Sequence, residues 1–300
     1  MRKLKAIWEL MRLEHGLMLF IAVLIGSVIA QKMLDNFTGF PPVDKLILTF
    51  LTVLFLEAST FALNDYYDLE IDKKNKRLDR PLVRGDIAPK TALYLFFILL
   101  PLGILSSFFV NFTCFIIALV TAFFAILYDV KMKKIKLLGN FYIAYTMAIP
   151  FIFGGAAVLE KNMLTFFVIP PVIFIIALIA FFAGVGREIM KDVMDFEGDR
   201  KGGVKSFPSY VGIRASNVLS AIFYIIAIAL SFIPFFMESY GFYYRNMYYL
   251  ALVFVTDTML LSTSLQLIFK KRVDMKFYRM FTLVAIFVGL LAFLIGVFTG

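Results

Sequence analysis

Histidine and cysteine each occur once in this chain of 300 residues, as His15 and Cys114. One cysteine cannot close an intramolecular disulfide, and one histidine with one thiol cannot build a zinc shell. Cys114 falls inside a long apolar run, which argues against nucleophilic thiol chemistry. Charge is also scarce, at 17% of residues. What charge there is carries a net +9, a balance that ordinarily raises the question of nucleic acid.

The remainder is largely hydrocarbon: 61% of residues are hydrophobic and 36 are Phe. Apolar runs long enough to cross a bilayer recur along the whole length, which predicts an all-α, polytopic membrane protein forming a single domain over 1–300. Nine spans are predicted near 16–31, 46–64, 91–109, 112–128, 138–158, 164–187, 213–235, 247–269 and 277–298. With the N-terminus cytoplasmic and the C-terminus outside, all of the 30 Lys and Arg except Lys32, Lys45, Lys161 and Arg245 fall on the cytoplasmic side. The positive balance is therefore topological. Basic loops beside anionic lipid need no nucleic acid, and no feature calls for an obligatory protein partner. In the first 14 residues, Leu4, Ile7, Trp8 and Met11 repeat at helical spacing. This suits an amphipathic lead-in at the membrane surface better than a cleaved signal.

Against that background, residues 64–72 read NDYYDLEID directly after an apolar run. If the second span continues as a helix, side chains four apart are offset by about 40°, so Asn64, Asp68 and Asp72 form one stripe. Asp65 lies at its edge and Glu70 points away. A second acidic stretch, REIMKDVMDFEGDRKGG at 187–203, ends the sixth span. There Glu188, Asp192, Asp195 and Asp199 fall within about 60° of one another on a continuing helix, unless Gly198 turns the chain before Asp199. Each stretch is followed by basic residues, Arg77 and Arg80 in the first case and Lys201 and Lys205 in the second. Then come Pro81 and Gly85, or Pro208 and Gly212, at the same four-residue spacing. The pattern predicts an internal repeat offset by four spans, with two related loops on the cytoplasmic side.

Clustered carboxylates repel one another unless cations compensate. All-oxygen donors without His or Cys favour Mg²⁺ or Ca²⁺, and Mg²⁺ is commonly shared between one or two carboxylates and substrate phosphates. Acids and bases on the same segments therefore point to a metal-bridged phosphate ligand with its active site at the cytoplasmic side.

NDYYDLEID followed by KRLDRPLVRGDI resembles the NxxxDxxxD signature and basic RPL loop of the UbiA family of intramembrane prenyltransferases. MDFEGDRKGGVKSFPSYVG resembles the same family's second DxxxD motif and its tail. The resemblance spans nearly the whole chain and implies transfer of an isoprenoid from a Mg²⁺-bound diphosphate to an acceptor. Carried over by position, Asn64, Asp68, Asp72, Asp195 and Asp199 are the implied metal ligands, with Asp65 and Asp192 in support. YDVKMKK at 128–134 resembles the family's Tyr-x-x-Lys/Arg loop, which adds Tyr128 and Lys131 to Arg77, Arg80 and Lys205 on the diphosphate side. Arg12 resembles the Arg of an RPxN element, although Leu13, Glu14 and His15 depart from the rest of it. Within the family, the second motif most resembles archaeal members that build ether lipids. The implied partners are then geranylgeranyl diphosphate and a lipid-like acceptor, geranylgeranylglyceryl phosphate, whose free hydroxyl is alkylated.

On this reading Asp68, Asp195 and Lys131 are the catalytic set, acting on the charge that gathers on the departing diphosphate. Glu57 and Asp257 lie inside spans, where an ionisable residue marks a candidate functional site. Glu57 serves either as an acceptor-side proton acceptor or as a structural carboxyl. His15 is a second acceptor-side candidate. Two other readings remain: prenylation of an aromatic acceptor, which the diphosphate motifs do not distinguish, and a cation-coupled transporter. The transporter would place its acids near the bilayer midplane, whereas these stripes sit at span ends.

Overall fold

The computed structural model describes residues 2–12, 16–34, 39–74, 76–159, 169–201, 205–270 and 273–300. These residues form helices α1 (Arg2–Met11), α2 (Gly16–Leu34), α3 (Val43–Lys74), α4 (Pro81–Arg84), α5 (Pro89–Val110), α6 (Phe112–Val130), α7 (Lys136–Ala157), α8 (Pro171–Lys201), α9 (Pro208–Val211), α10 (Ile213–Ser231), α11 (Ile233–Phe236), α12 (Met247–Phe269) and α13 (Met275–Thr299). Among the described residues, nine helices are long and apolar enough to cross a membrane. Five of them begin where Pro fits the first turn, at Pro89 and Pro171, or where a side chain caps the exposed amides. Asn111 accepts from the Cys114 amide, Asn246 from those of Tyr248 and Tyr249, and Asp274 from that of Phe277.

Two spans run well past their expected ends. The second, expected over 46–64, is part of a helix that reaches Lys74. The sixth begins at Pro171 rather than at 164 and continues to Lys201; residues 164–168 lie outside the described set. Gly198 does not turn the chain. Hydropathy cannot detect either extension, because the added turns are polar. The stripe geometry, which required unbroken helix through 72 and 199, holds in both places.

The chain forms two compact units, Met1–Lys131 with Phe153–Val168, and Met132–Ile152 with Ile169–Gly300. In the first, α3 packs against α5, and α2, α6 and the surface helix α1 also pack on α3. In the second, α8 packs against α10, α10 against α12, α12 against α13, and α13 returns to α8. Each unit therefore pairs its long acidic helix with the span that follows, joined by a single Pro-initiated turn, α4 or α9. This is the expected repeat in structural form.

Apolar residues such as Phe97, Phe123 and Phe254 are largely exposed, as a lipid-facing surface requires. The inter-helix seams use small residues that let backbones approach. Ser220 Oγ of α10 donates to the Gly186 carbonyl of α8 at 2.6 Å. In the first unit, Ser27 Oγ of α2 donates to the Gly154 carbonyl at 2.9 Å. The lead-in helix α1 forms as expected and has two apolar faces. Ala6 and Leu10 are buried against Leu69 and Leu82, while Leu4 and Trp8 stay exposed.

A Cβ built on Gly154 would lie 2.1 Å from the Val23 carbonyl oxygen, whereas one on Gly198 meets nothing within 4 Å. Gly154→Ala should therefore cost about 3 kcal/mol by forcing α2 away. Gly198→Ala should instead stabilise by roughly 0.5–1 kcal/mol through helix propensity. Thermal unfolding of the two variants in detergent micelles checks both signs.

Candidate active site

The polar end of α3 carries the first set of acids. Glu70 is exposed and pairs with Lys73 at 2.8 Å, off the stripe as expected. Asp68 is half-buried, and Asp72 is 9% exposed with its carboxylate 3.8 Å from Arg80 Nε. Asp65 behaves differently from these stripe members. It is 2% exposed, and its Oδ1 accepts from Arg12 Nη2 at 2.5 Å and from Arg80 Nη1 at 3.1 Å. Its Oδ2 is buried without a hydrogen-bond partner. A buried carboxylate needs cations and hydrogen bonds around it, and here two arginines from opposite chain directions supply them. Arg12 stands just past α1 with φ of 48°. Its guanidinium lies 4.3 Å over the Phe61 ring. Arg80 is the residue before Pro81, at the start of α4. Asp65 thus fastens both α1 and the return segment to α3.

Of the cations expected on the diphosphate side, Arg12 and Arg80 each donate to Asp65. Arg77 is exposed and grips Asp79 with two bonds, of 2.9 and 2.7 Å. The hydrogen bond from Arg77 holds the Asp79 carboxyl below its usual range. The Nε and Nη2 donors of Arg77 are thus directed at Asp79. Lys131 is exposed immediately after α6, and Tyr128 is half-buried on the same helix. Between them lies Asp129, a residue the sequence reading passed over. It is 3% exposed and accepts from Asn64 Nδ2 at 2.8 Å. An acid inside the Tyr-x-x-Lys element was the available signal.

In the second unit, α8 carries the other acids. Asp195 is exposed and Asp199 half-buried. Glu188, placed on the stripe by its spacing, is held by Lys191 at 2.8 and 2.7 Å and lies 3.6 Å from Arg187. Its charge is thus neutralised by its own helix. Asp192 is 4% exposed, and its Oδ2 accepts from Asn140 Nδ2 of α7 at 2.9 Å and from the Phe207 amide at 3.1 Å. Phe207 precedes Pro208 just as Arg80 precedes Pro81. The two buried aspartates, each seven residues before the last acid of its stripe, hold corresponding return segments in place. Asn140 was also missed, since a single Asn at the start of a span has no periodic signature. Lys205 is exposed beside this segment. Among the described residues, no three His, Cys, Asp or Glu side chains form a group that would hold a metal by themselves.

Glu57 is half-buried within α3. Asp257, 7% exposed in α12, accepts from Ser231 Oγ at 2.7 Å, and the Ser231 carbonyl accepts from Tyr249 Oη at 2.6 Å. Asp257 therefore has a structural role in fastening α12 to α10. His15 lies outside the described residues.

A chain of this architecture, with oxygen-only stripes at the ends of two extended membrane helices, has known counterparts. Residues 19–286 match the UbiA prenyltransferase family, and the chain belongs to it. The relatives it resembles are more specific. It is 41% identical to digeranylgeranylglyceryl phosphate synthase of Archaeoglobus fulgidus, over 99% of this chain and 97% of that one, and 33% identical to the enzyme of the same name from Methanosarcina mazei, over 96% and 97%. A solved structure of digeranylgeranylglyceryl phosphate synthase superposes with a TM-score of 0.79 at 33% identity, covering 99% of both chains. A UbiA homologue from Archaeoglobus fulgidus, solved with GPP and Mg²⁺, shares the fold with a TM-score of 0.63 at 18% identity over 96% of this chain and 99% of that one.

Breaking one partner of a buried charge cluster exposes the others to an uncompensated environment. Asp65→Ala should cost about 3 kcal/mol and release α1 from the body. Glu70→Ala on the same helix should be neutral within about 0.5 kcal/mol. Detergent-phase unfolding reads the first quantity, and proteolytic cleavage between α1 and α2 reads the second effect of Asp65→Ala.

Proposed function

We propose that the protein is a Mg²⁺-dependent prenyltransferase of ether-lipid synthesis, moving a geranylgeranyl group from geranylgeranyl diphosphate to the free hydroxyl of geranylgeranylglyceryl phosphate. The observation that carries this reading is the pair of oxygen-donor stripes, each followed by a basic return segment, in a chain that matches synthases of that name from end to end. A single domain combining both units performs the reaction. The acidic helix ends are cytoplasmic, with the N-terminus inside and the C-terminus outside, a reading supported by the distribution of Lys and Arg.

The donor set fits a hard cation. Amide and carboxylate oxygens from Asn64, Asp68 and Asp72 in the first unit, and from Asp195 and Asp199 in the second, suit Mg²⁺ and are poor ligands for softer metals. Asp65 and Asp192 support that set, each holding its return segment through one oxygen: Asp65 Oδ1 accepts from Arg12 and Arg80, and Asp192 Oδ2 from Asn140 and the Phe207 amide. Bound Mg²⁺ supplies Lewis-acid neutralisation of the leaving diphosphate.

The chain's own side chains do the rest. Lys131, Lys205 and Arg77, exposed near the stripes of their own units, bind and steady the diphosphate oxygens, Arg77 exchanging Asp79 for the substrate. Tyr128 orients the same group through its hydroxyl. As the allylic C–O bond breaks, the bonding pair leaves with the diphosphate, and the acceptor oxygen forms a new C–O bond to the prenyl carbon. The acceptor's hydroxyl proton must then be taken up. Glu57, seven residues before Asn64 and so about 10 Å further along α3, is the candidate for this step. Its nearly common face with Asn64 favours it.

The test is turnover of purified protein with labelled geranylgeranyl diphosphate, offered geranylgeranylglyceryl phosphate or an aromatic acid in parallel. Product is expected only with the glyceryl acceptor, and only with Mg²⁺ restored after chelation. Asp68→Ala and Asp195→Ala should each reduce turnover by at least about 100-fold with unchanged unfolding temperature, a loss typical of removing groups that stabilise developing charge. Normal turnover in either variant would remove that stripe from the chemistry. Arg77→Ala should act mainly on donor binding, raising KM for the diphosphate by roughly tenfold and leaving KM for the acceptor unchanged.

A further inference from the structure

Asn64 is half-buried on α3, one turn before Asp68, and its side-chain nitrogen donates to Asp129 Oδ1 of α6. The two ends of an Asn side chain are nearly equal in size and opposite in function. The oxygen accepts or ligates, and the nitrogen only donates. Mg²⁺ takes oxygen and rejects the NH₂ end, so an Asn in a metal shell is useful in one of its two orientations. An ionised carboxylate only accepts. Asp129 therefore demands the nitrogen of Asn64, and the carbonyl oxygen is left for a ligand. Asp129 is itself held, since it lies 3% exposed between Tyr128 and Val130 where α3 and α6 pack together.

We propose that Asp129 is a positioning residue for the reaction: it locks the Asn64 amide so that the carbonyl oxygen, and not the NH₂, is presented to the Mg²⁺–diphosphate. The inference rests on the proposed role of Asn64 as a metal ligand. It assigns a function to an acid that otherwise reads as one more buried polar group, and it explains why the first position of this stripe tolerates an amide where the later ones are carboxylates. The amide lets the position sit against a carboxylate without like-charge repulsion.

The orientation argument makes a reciprocal exchange informative. The full-length protein in detergent is titrated with Mg²⁺ in the presence of unreactive geranylgeranyl thiolodiphosphate. Binding is followed by calorimetry and by the rise in unfolding temperature rather than by turnover. Asn64→Asp sets two carboxylates against each other and should raise the Mg²⁺ needed for half-saturation by about tenfold or more. Asp129→Asn should raise it by roughly three- to tenfold, because the introduced amide can also offer its own NH₂ to the Asn64 oxygen. In the double variant Asn64→Asp/Asp129→Asn the amide at 129 donates to the carboxylate at 64, whose second oxygen faces the ligand, and half-saturation should return to within about threefold of the parent protein.

A double variant as weak as Asn64→Asp alone, or an Asp129→Asn protein that binds like the parent, would overturn the inference. If Asn64→Asp does not fold, the Asp129→Asn titration decides by itself. Asp68→Ala is the reference. If it leaves Mg²⁺ binding intact, the metal reading of the stripe has failed. If it abolishes binding while the exchange fails to rescue, the role of Asp129 alone has failed.

Discussion

A carboxylate removed from water must be surrounded by donors, and this fold meets the requirement twice in the same way. Asp65 draws Arg80 onto α3, and Asp192 draws the Phe207 amide onto α8. In each case the captured residue stands directly before a proline that starts a single helical turn. These contacts join the segment that carries the basic residues to the acidic helix, beside the packing of Leu82 on Leu69 in the first unit. With them, the segment is fixed to the side chain next to the stripe. The burial that makes each aspartate costly also makes it an anchor, because the pair is screened less than a surface ion pair would be.

The two halves reach that result with different chemistry. The first uses guanidinium groups, including one from beyond α1. The second uses an amide side chain and a main-chain N–H. Among the contacts described, cations meet the buried aspartate in one unit and dipoles meet it in the other.

Much of this organisation is legible in the sequence. The nine spans follow from apolar run length, and the stripes follow from four-residue spacing once helix continues. The offset repeat is visible in the paired Pro81–Gly85 and Pro208–Gly212 signals. Helix continuation itself was the conditional step, because polar turns beyond a span look like loop to any hydropathy measure. The partners of the acids were not legible. Asp65 and Asp192 look like stripe members by spacing, and their 2% and 4% exposure with specific donors shows an anchoring role that spacing does not reveal. Asp129 and Asn140 escaped for a related reason. Each meets its partner across more than 50 residues of chain, and local pattern carries no information at that separation.

The length of α3 has a consequence for kinetics. Its 32 residues extend for about 48 Å, whereas the hydrocarbon layer is about 30 Å deep. The overhang carries the acids while the rest of the helix stays in oil. An amphiphile with a charged head and a polyprenyl tail can meet this ledge without leaving its leaflet, and a more lipophilic product stays in the same sheet. Encounter is then two-dimensional, so flux follows moles of substrate per unit of bilayer area, and adding inert lipid slows the reaction at constant bulk concentration.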